Sequence, residues 1–260
     1  MASTRNTVQS LAVACVLASA TSGRAADPEG WTLDVGGDRA GVSLGASRTA
    51  WWSGRAQLTY RRDGKGGAFV AVEPLRRFGL TDTTVSAAGW RHAGAWSVYT
   101  EAGATPNADF HYRRSGEVEV FRRLGSGPWV PHASYRFLAF PAQNVSLISP
   151  AVTRYGARGE LLARATFGRN TTNDTSSRAV FVRGRYDVGR RVTLGGGVAV
   201  GERIFDVTAL PRDPAPGWVA FAEARLATGN GNSIGVLARV AEEGSAFDQS
   251  AFGLTYRRTF

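Results

Sequence analysis

Three histidines, His92, His111 and His132, are the side chains best suited to proton transfer in this chain of 260 residues. In His132-Ala133-Ser134 an imidazole and a hydroxyl stand two residues apart. An extended strand turns both to one face, where the imidazole can take the hydroxyl proton and create a nucleophile for acyl transfer. Asp109-Phe110-His111 repeats the spacing with a carboxylate, a pair able to activate water for peptide hydrolysis. That reaction needs a second acidic group opposite the first, and Asp174, Asp206 and Asp213 are the candidates. His92, beside Ala93-Gly94, reads as a turn residue.

Other site chemistries find little support. Cys15 is the only cysteine and falls in the segment expected to be cleaved as a signal, so the mature chain would have none, which excludes disulfide frameworks and cysteine-based zinc or catalytic sites. Gly195-Gly196-Gly197 lacks the lysine of a phosphate-binding loop and lies in a strand pattern, where glycine relieves curvature or crowding. Asn173-Asp174 and Asp213 offer oxygens to calcium without the spacing of a calcium loop. The sequence assigns no catalytic residue, cofactor or metal.

The elements that hold these residues are short and alternating. Val180, Val182 and Tyr186 fall on one face, and Phe181, Arg183 and Arg185 on the other. Leu161, Ala163, Ala165 and Phe167 oppose Glu160, Leu162, Arg164 and Thr166. Val118 and Val120 oppose Glu117 and Glu119, and similar rows run through 218–226 and 234–240. This is the period of a strand with one apolar face. No segment holds a helical period, and beyond the N-terminus none approaches the roughly 20 apolar residues of a spanning helix. Mean hydropathy is −0.17, as expected where outward apolar and inward polar residues alternate.

Arginine and glutamate sit in mid-segment, opposite unbroken apolar rows. A closed antiparallel barrel in lipid accounts for this, apolar side out and charged side in, and closure pairs every backbone group. The fold expected is an all-β, up-and-down transmembrane barrel of 12–14 strands. The first pair, around Trp31 to Arg62, is the least regular. A soluble β-sandwich or solenoid is the alternative. The lumen-facing charges expected are Glu73, Glu117, Glu119, Arg136, Glu160, Arg164, Arg183, Arg185, Glu202, Glu223, Arg225, Arg239 and Arg257. With both signs present, they pair with one another or line an anion-attracting path.

The connections differ in length. Tight turns follow Arg62, His92, Leu124, Tyr155, Val188 and Gly229, whereas longer polar stretches occupy 105–110, 168–176, 203–217 and 242–248. Bacterial barrels keep short turns in the periplasm and long loops outside. His132 therefore lies near the periplasmic end, with Ser134 and away from lipid. The seven tryptophans mostly lie near segment ends, which suits interfacial girdles. The formal charge is +10, but the basic residues are spread evenly and Lys65 is the only lysine, so nucleic acid is not an expected partner. Paired arginines such as Arg76-Arg77 and Arg257-Arg258 recur near turns, where lipid phosphates or anionic sugars are within reach.

Residues 1–25 read as a cleaved signal peptide, with Arg5 as its positive region, Leu11 to Ala20 as its apolar core and Gly23-Arg24-Ala25 as its cleavage site. Cys15 leaves with it; a lipoprotein signal would have leucine where Ala12 stands. Residues 26–260 are the barrel. Its last segment places Phe252, Leu254, Tyr256 and Phe260 on one face and is similar to the C-terminal signal read by barrel-insertion machinery. Arg258 departs from that signal and must snorkel toward headgroups.

A family resemblance rests on ordered short motifs. They are Arg77-Phe78-Gly79 with Asp82, Thr105-Pro106-Asn107-Ala108-Asp109-Phe110, Tyr135-Arg136-Phe137, Ser149-Pro150 before Tyr155-Gly156, and Gly201-Glu202. In this order the chain resembles the YaiO-like outer-membrane β-barrel family, with Phe140 where a tyrosine is expected. The resemblance implies a barrel in the Gram-negative outer membrane, associated in some members with surface polysaccharide, and supplies no catalytic residues. The expected function is non-enzymatic transport, export or structural support of the envelope. Expected partners are outer-membrane lipid, lipopolysaccharide, the insertion machinery and surface polysaccharide. The alternative is a barrel hydrolase: His132-x-Ser134 has the spacing of outer-membrane phospholipases and lipid A deacylases, and Asp109 with His111 matches the omptin-like proteases.

Overall fold

The computed structural model describes residues 29–44, 47–202, 216–243 and 247–260. The segment expected to be a signal peptide, Asp206, Asp213, most of the stretch 203–217 and residues 244–246 lie outside them. Fourteen strands close into one antiparallel barrel in chain order. They are β1 (Gly30–Leu44), β2 (Ser47–Arg62), β3 (Gly66–Arg77), β4 (Leu80–Ala93), β5 (Trp96–Ala104), β6 (Arg114–Arg122) and β7 (Trp129–Ala139). There follow β8 (Asn144–Tyr155), β9 (Gly159–Asn170), β10 (Thr175–Val188), β11 (Val192–Glu202), β12 (Pro216–Gly229), β13 (Asn232–Glu243) and β14 (Phe247–Thr259). The ring is sealed by β1 against β14, in register from Thr32 opposite Thr259 to Ser43 opposite Asp248. The irregular first pair is thus a full member of the barrel, which fixes the count at the upper expected value.

Alternation decides which way each side chain points. Val200 is 58% exposed and Phe252 57%, and Val118, Ile148, Leu161, Val180 and Leu254 stand on the same outer surface. The buried apolar clusters are small, one around Trp51 and one around Leu138. An apolar belt running round the whole ring far exceeds the patches that soluble monomers expose. With no open sheet edge, it suits a hydrocarbon surrounding.

The ends of the barrel differ. One end, the turn end, carries the connections 63–65, 94–95, 123–128, 156–158, 189–191 and 230–231. At the last of these, Asn230 and Gly231 both adopt positive φ, the pairing that a two-residue hairpin needs. The other end, the loop end, carries 105–113, 140–143 and 171–174 together with a tight turn at Phe78-Gly79. Five tryptophans, Trp31, Trp52, Trp96, Trp129 and Trp218, lie on the outer face, while Trp51 and Trp90 share the inward-facing parity of their strands. At the turn end, outer arginines stack on girdle rings: Arg122 over Trp96 at 5.1 Å, Arg154 over Trp129 at 5.7 Å and Arg258 over Phe260 at 4.9 Å.

Candidate functional site in the lumen

The inner face of the barrel is its chemical site. Glu73, Glu117, Glu119, Arg136, Glu160, Arg164, Arg183, Arg185, Glu223, Arg225, Arg239 and Arg257 all point inward, each out of phase with the exposed apolar residues of its own strand. Glu202 is a correction. It has the parity of the outward Val198 and Val200, and it faces Arg178 on the outer surface at 4.0 Å. Counting from those two valines would have placed it correctly. The inner face also holds Asp34, Asp38, Arg55, Arg61, Arg77, Asp82, Glu101 and Asp187, which the sequence did not single out. Inward carboxylates and inward arginines balance in number, so these side chains give the lumen no net charge.

Most of these groups are paired. Between neighbouring strands, Arg136 meets Glu117 at 2.6 Å and Arg257 meets Asp34 at 2.6 Å, and Arg55 pairs with Glu73. Three further pairs reach over intervening strands. Arg183 of β10 crosses β11 to Glu223 of β12 at 2.9 Å. Arg239 of β13 crosses β14 to Asp38 of β1 at 3.5 Å. Arg164 of β9 passes over β8 and β7 to Glu119 of β6 at 2.7 Å. Small residues beneath make room. A Cβ on Gly195 would lie 2.4 Å from Glu223, one on Gly197 would lie 2.8 Å from the Phe221 ring, and one on Gly253 would lie 3.1 Å from Asp38. The glycine triplet therefore relieves crowding under a spanning ion pair. Glu119 is 2% exposed, so its charge depends on these partners.

His132 joins this network rather than a dyad with Ser134. Its Nδ1 lies 2.7 Å from Glu119 Oε1, its Nε2 lies 3.1 Å from Thr153 Oγ1, and its ring stacks on Phe121 at 4.7 Å. Ser134 is buried on the same inner face. A cavity of about 30 Å³, room for one or two water molecules, opens beside His132, Thr153, Glu160, Arg164 and Arg183. The Glu160 Oε2, Arg164 Nε and Arg183 Nε atoms are buried without protein partners. His92 hydrogen-bonds Ser97 at 2.8 Å across the hairpin it helps to turn.

At the loop end, segment 105–113 folds inward. Asp82 on β4 accepts three successive backbone N–H bonds, from Asp109 and Phe110 at 3.0 Å each and from His111 at 2.7 Å. Three donors on one carboxylate pin the segment as a side chain pins a helix cap. Phe110 is buried, with the Arg77 guanidinium 5.9 Å from its ring and 4.8 Å from that of Trp51. Phe78 completes the apolar floor, edge-on to Trp51 at 5.3 Å. It does so at a φ of 53°, where a bulky residue is strained, so packing must hold it there. His111 packs against Tyr112, with ring centroids 4.0 Å apart and the planes tilted by 38°. Burial, with Arg77 adding to it, pulls its imidazole down to about 4, against the opposing effect of Asp82.

Of the acidic partners considered for Asp109, Asp206 and Asp213 lie outside the described residues, and Asp174 is engaged elsewhere. Asp174 pairs with Arg169 at 2.7 Å in the exposed turn between β9 and β10, where Asn173 accepts a bond from the Thr175 backbone. Asn173 and Asp174, two of the three groups considered for calcium, are thus engaged locally, and the third, Asp213, lies outside the described residues.

No protein-family model matches the sequence, and no curated protein matches it. Solved structures do. The toluene transporter TbuX of Ralstonia pickettii superposes with a TM-score of 0.64 at 9% identity, over 90% of each chain. A bacterial polysaccharide outer membrane secretin gives 0.63 at 8% identity, over 89% of this chain and 99% of its own. An outer membrane channel from Pseudomonas putida F1 gives 0.52 at 12% identity, over 90% of this chain and 96% of its own. The fold is that of an outer-membrane β-barrel. At such identities the likeness concerns the fold alone. It accounts for the apolar belt as a lipid-facing surface and for the inner charges as a lumen lining.

Proposed function

We propose that this barrel is a non-enzymatic component of the Gram-negative outer membrane that serves transport or export. On this reading the chain arrives through a cleaved signal peptide and is inserted by the barrel-assembly machinery through its last strand. The turn end then faces the periplasm and the loop end faces outward. The observation that carries the reading is the distribution of polar chemistry. Charged groups line an enclosed axis, an inward-folded loop narrows the outer mouth, and His132 and Ser134 are turned away from lipid. The transporter, channel and secretin among the structural neighbours support it by analogy. The ordered motifs from Arg77-Phe78-Gly79 onward support membership of the YaiO-like family, and with it a link to surface polysaccharide. Planar-bilayer recording tests the transport reading. Discrete conductance steps are expected, and a barrel silent both unmodified and with its 105–113 segment released would leave only a structural role.

A second reading has one observation in its favour. Glu119, His132 and Thr153 form an acid–imidazole–hydroxyl chain of the kind that activates a nucleophile. Against it, the adjoining cavity is water-sized and offers no room for a scissile bond. Lipid or peptide hydrolysis by the unmodified protein, abolished by Thr153→Ala, would establish it.

A further inference from the structure

The outer face of β14, β1 and β2 is framed by two rows in register. At the β14 edge the rows are marked by Phe252 and by Phe260, which follows the strand and donates its backbone N–H to the Trp31 carbonyl, and on β2 by Trp52 and Tyr60. On β1 the turn-end row holds Trp31, opposite Tyr60. The loop-end position of β1 lies opposite both Phe252 and Trp52, and it is Arg39. On β3 the residue opposite Trp52 is Arg76. The loop-end row therefore reads Phe252, Arg39, Trp52, Arg76.

The spacing of the rows fits a membrane. From Trp31 to Arg39 the strand runs about 26 Å at ~3.3 Å per residue. With a tilt of about 40° that is about 20 Å along the barrel axis, close to the apolar band of outer-membrane barrels. Arg39 and Arg76 thus stand at the boundary opposite the Trp31–Tyr60 girdle, and both are exposed. Arg48, Arg62, Arg91 and Arg114 are outward and exposed as well, but among the described residues it is Arg39 and Arg76 that flank Trp52 in the boundary row, and the remaining outward arginines named above are engaged. Arg178 faces Glu202, Arg169 pairs with Asp174, and Arg122, Arg154 and Arg258 lie over aromatic rings. Among the described residues, Arg39 and Arg76 meet neither a carboxylate nor a ring. One strand separates β1 from β3, which puts their Cα atoms about 10 Å apart at ~4.8 Å per strand step.

An unpaired guanidinium at an apolar–water boundary is matched best by a phosphate, which it can grip with two parallel hydrogen bonds. We propose that the loop-end outer face of β1–β3 binds the phosphorylated headgroup of an outer-leaflet glycolipid, the lipopolysaccharide class. Its acyl chains then lie on the apolar belt below Trp52, and Arg39 and Arg76 hold its phosphates. The proposal rests on the orientation given above, with the loop end outward.

The test is lipid retention by the full barrel, measured by native mass spectrometry after extraction and after reconstitution in nanodiscs. The unmodified protein is expected to keep lipopolysaccharide in preference to phosphatidylglycerol. The double variant R39A/R76A is expected to lose at least about tenfold, since a single lost charge-assisted contact is already worth about tenfold. R122A/R154A, at the turn end, is expected to retain it unchanged. Equal retention by R39A/R76A, or no preference over phosphatidylglycerol, overturns the proposal. Should the double alanine variant lose its heat-dependent gel shift and so its fold, Arg39→Gln and Arg76→Gln made singly decide the matter. Each is expected to lower retention, and unchanged retention in either one overturns it. Bilayer conductance on the same samples separates the two readings: a barrel that keeps its glycolipid yet stays silent even with the 105–113 segment released supports this proposal while removing the transport function.

Discussion

The carboxylate of Asp82 lies 2.7 Å from the backbone nitrogen of His111, and through this bond and its two neighbours a β4 side chain holds the 105–113 segment inside the mouth. Asp82→Ala removes the acceptor and leaves three N–H groups to find water. Each unsatisfied buried donor costs about 1–3 kcal/mol, more than a short loop gains by staying docked. Release of the segment is expected. It should appear as proteolytic cleavage within 105–113 and as a larger single-channel conductance, while the barrel keeps its gel shift. Unchanged cleavage and conductance would show that Arg77, Trp51 and Phe110 suffice to hold it.

The same segment should respond to acid. In the docked state the His111 imidazole is held at about 4, well below its ordinary value of 6.5. Docking therefore favours neutral His111. Its contribution is complete above about 6.5 and is lost as pH falls toward 4. Conductance should be flat from pH 8 to 7 and should rise between 6.5 and 4. In His111→Phe, which keeps a ring on Tyr112 without a proton to bind, that rise should disappear.

Arg164→Ala should be among the more damaging single changes in the lumen. It strips the arginine from Glu119, one of the few side chains closed almost completely from solvent. Removing one partner of a buried pair costs about 3–5 kcal/mol because the other charge is left behind. Urea or guanidinium unfolding in detergent should show a loss of this order. The double variant R164A/E119Q should recover part of it. If the double variant is as unstable as the sum of the singles, the two groups are not coupled.

Gly195→Val should force Glu223 away from Arg183, because a Cβ there already falls inside the glutamate side chain. Overpacking of this kind costs about 1–3 kcal/mol. Gly184→Ala on the outer face of β10 is the matched control, since its Cβ would meet only the Leu161 side chain at 4.0 Å. Thermal gel-shift midpoints should fall for the first and stay level for the second.

The fold was legible because lipid on one side and an ionic interior on the other enforce a two-residue period that few other environments sustain. Val180, Val182 and Tyr186 against Arg183 and Arg185 declared their faces before any coordinates. Paired arginines illustrate both the signal and its limit. In Arg61-Arg62, Arg76-Arg77 and Arg257-Arg258 one member enters the lumen and the other leaves it, so the pair marks a strand end without saying which residue does what. Asp34 and Asp38 escaped notice because Gly36-Gly37 between them blurs the alternation of β1. The glycine triplet of β11 did the same for Glu202. Asp82 could be quoted as part of a motif, but its grip on residues 109–111 depends on a chain reversal that local pattern does not encode. The choice of Glu119 and Thr153, rather than Ser134, as partners of His132 likewise follows from neighbouring strands.

The seam between β1 and β14 has a consequence for biogenesis. The twelve matched positions from Thr32 to Ser43 can find their partners only in residues 248–259, so the ring stays open until the C-terminal segment has been delivered. Until then two long edges with unpaired N–H and C=O groups are exposed, an invitation to aggregate in water and forbidden in hydrocarbon. Closure of the ring therefore waits for the last strand, and until then both rims are open to wrong pairing. Contacts this distant in sequence make such closure slow.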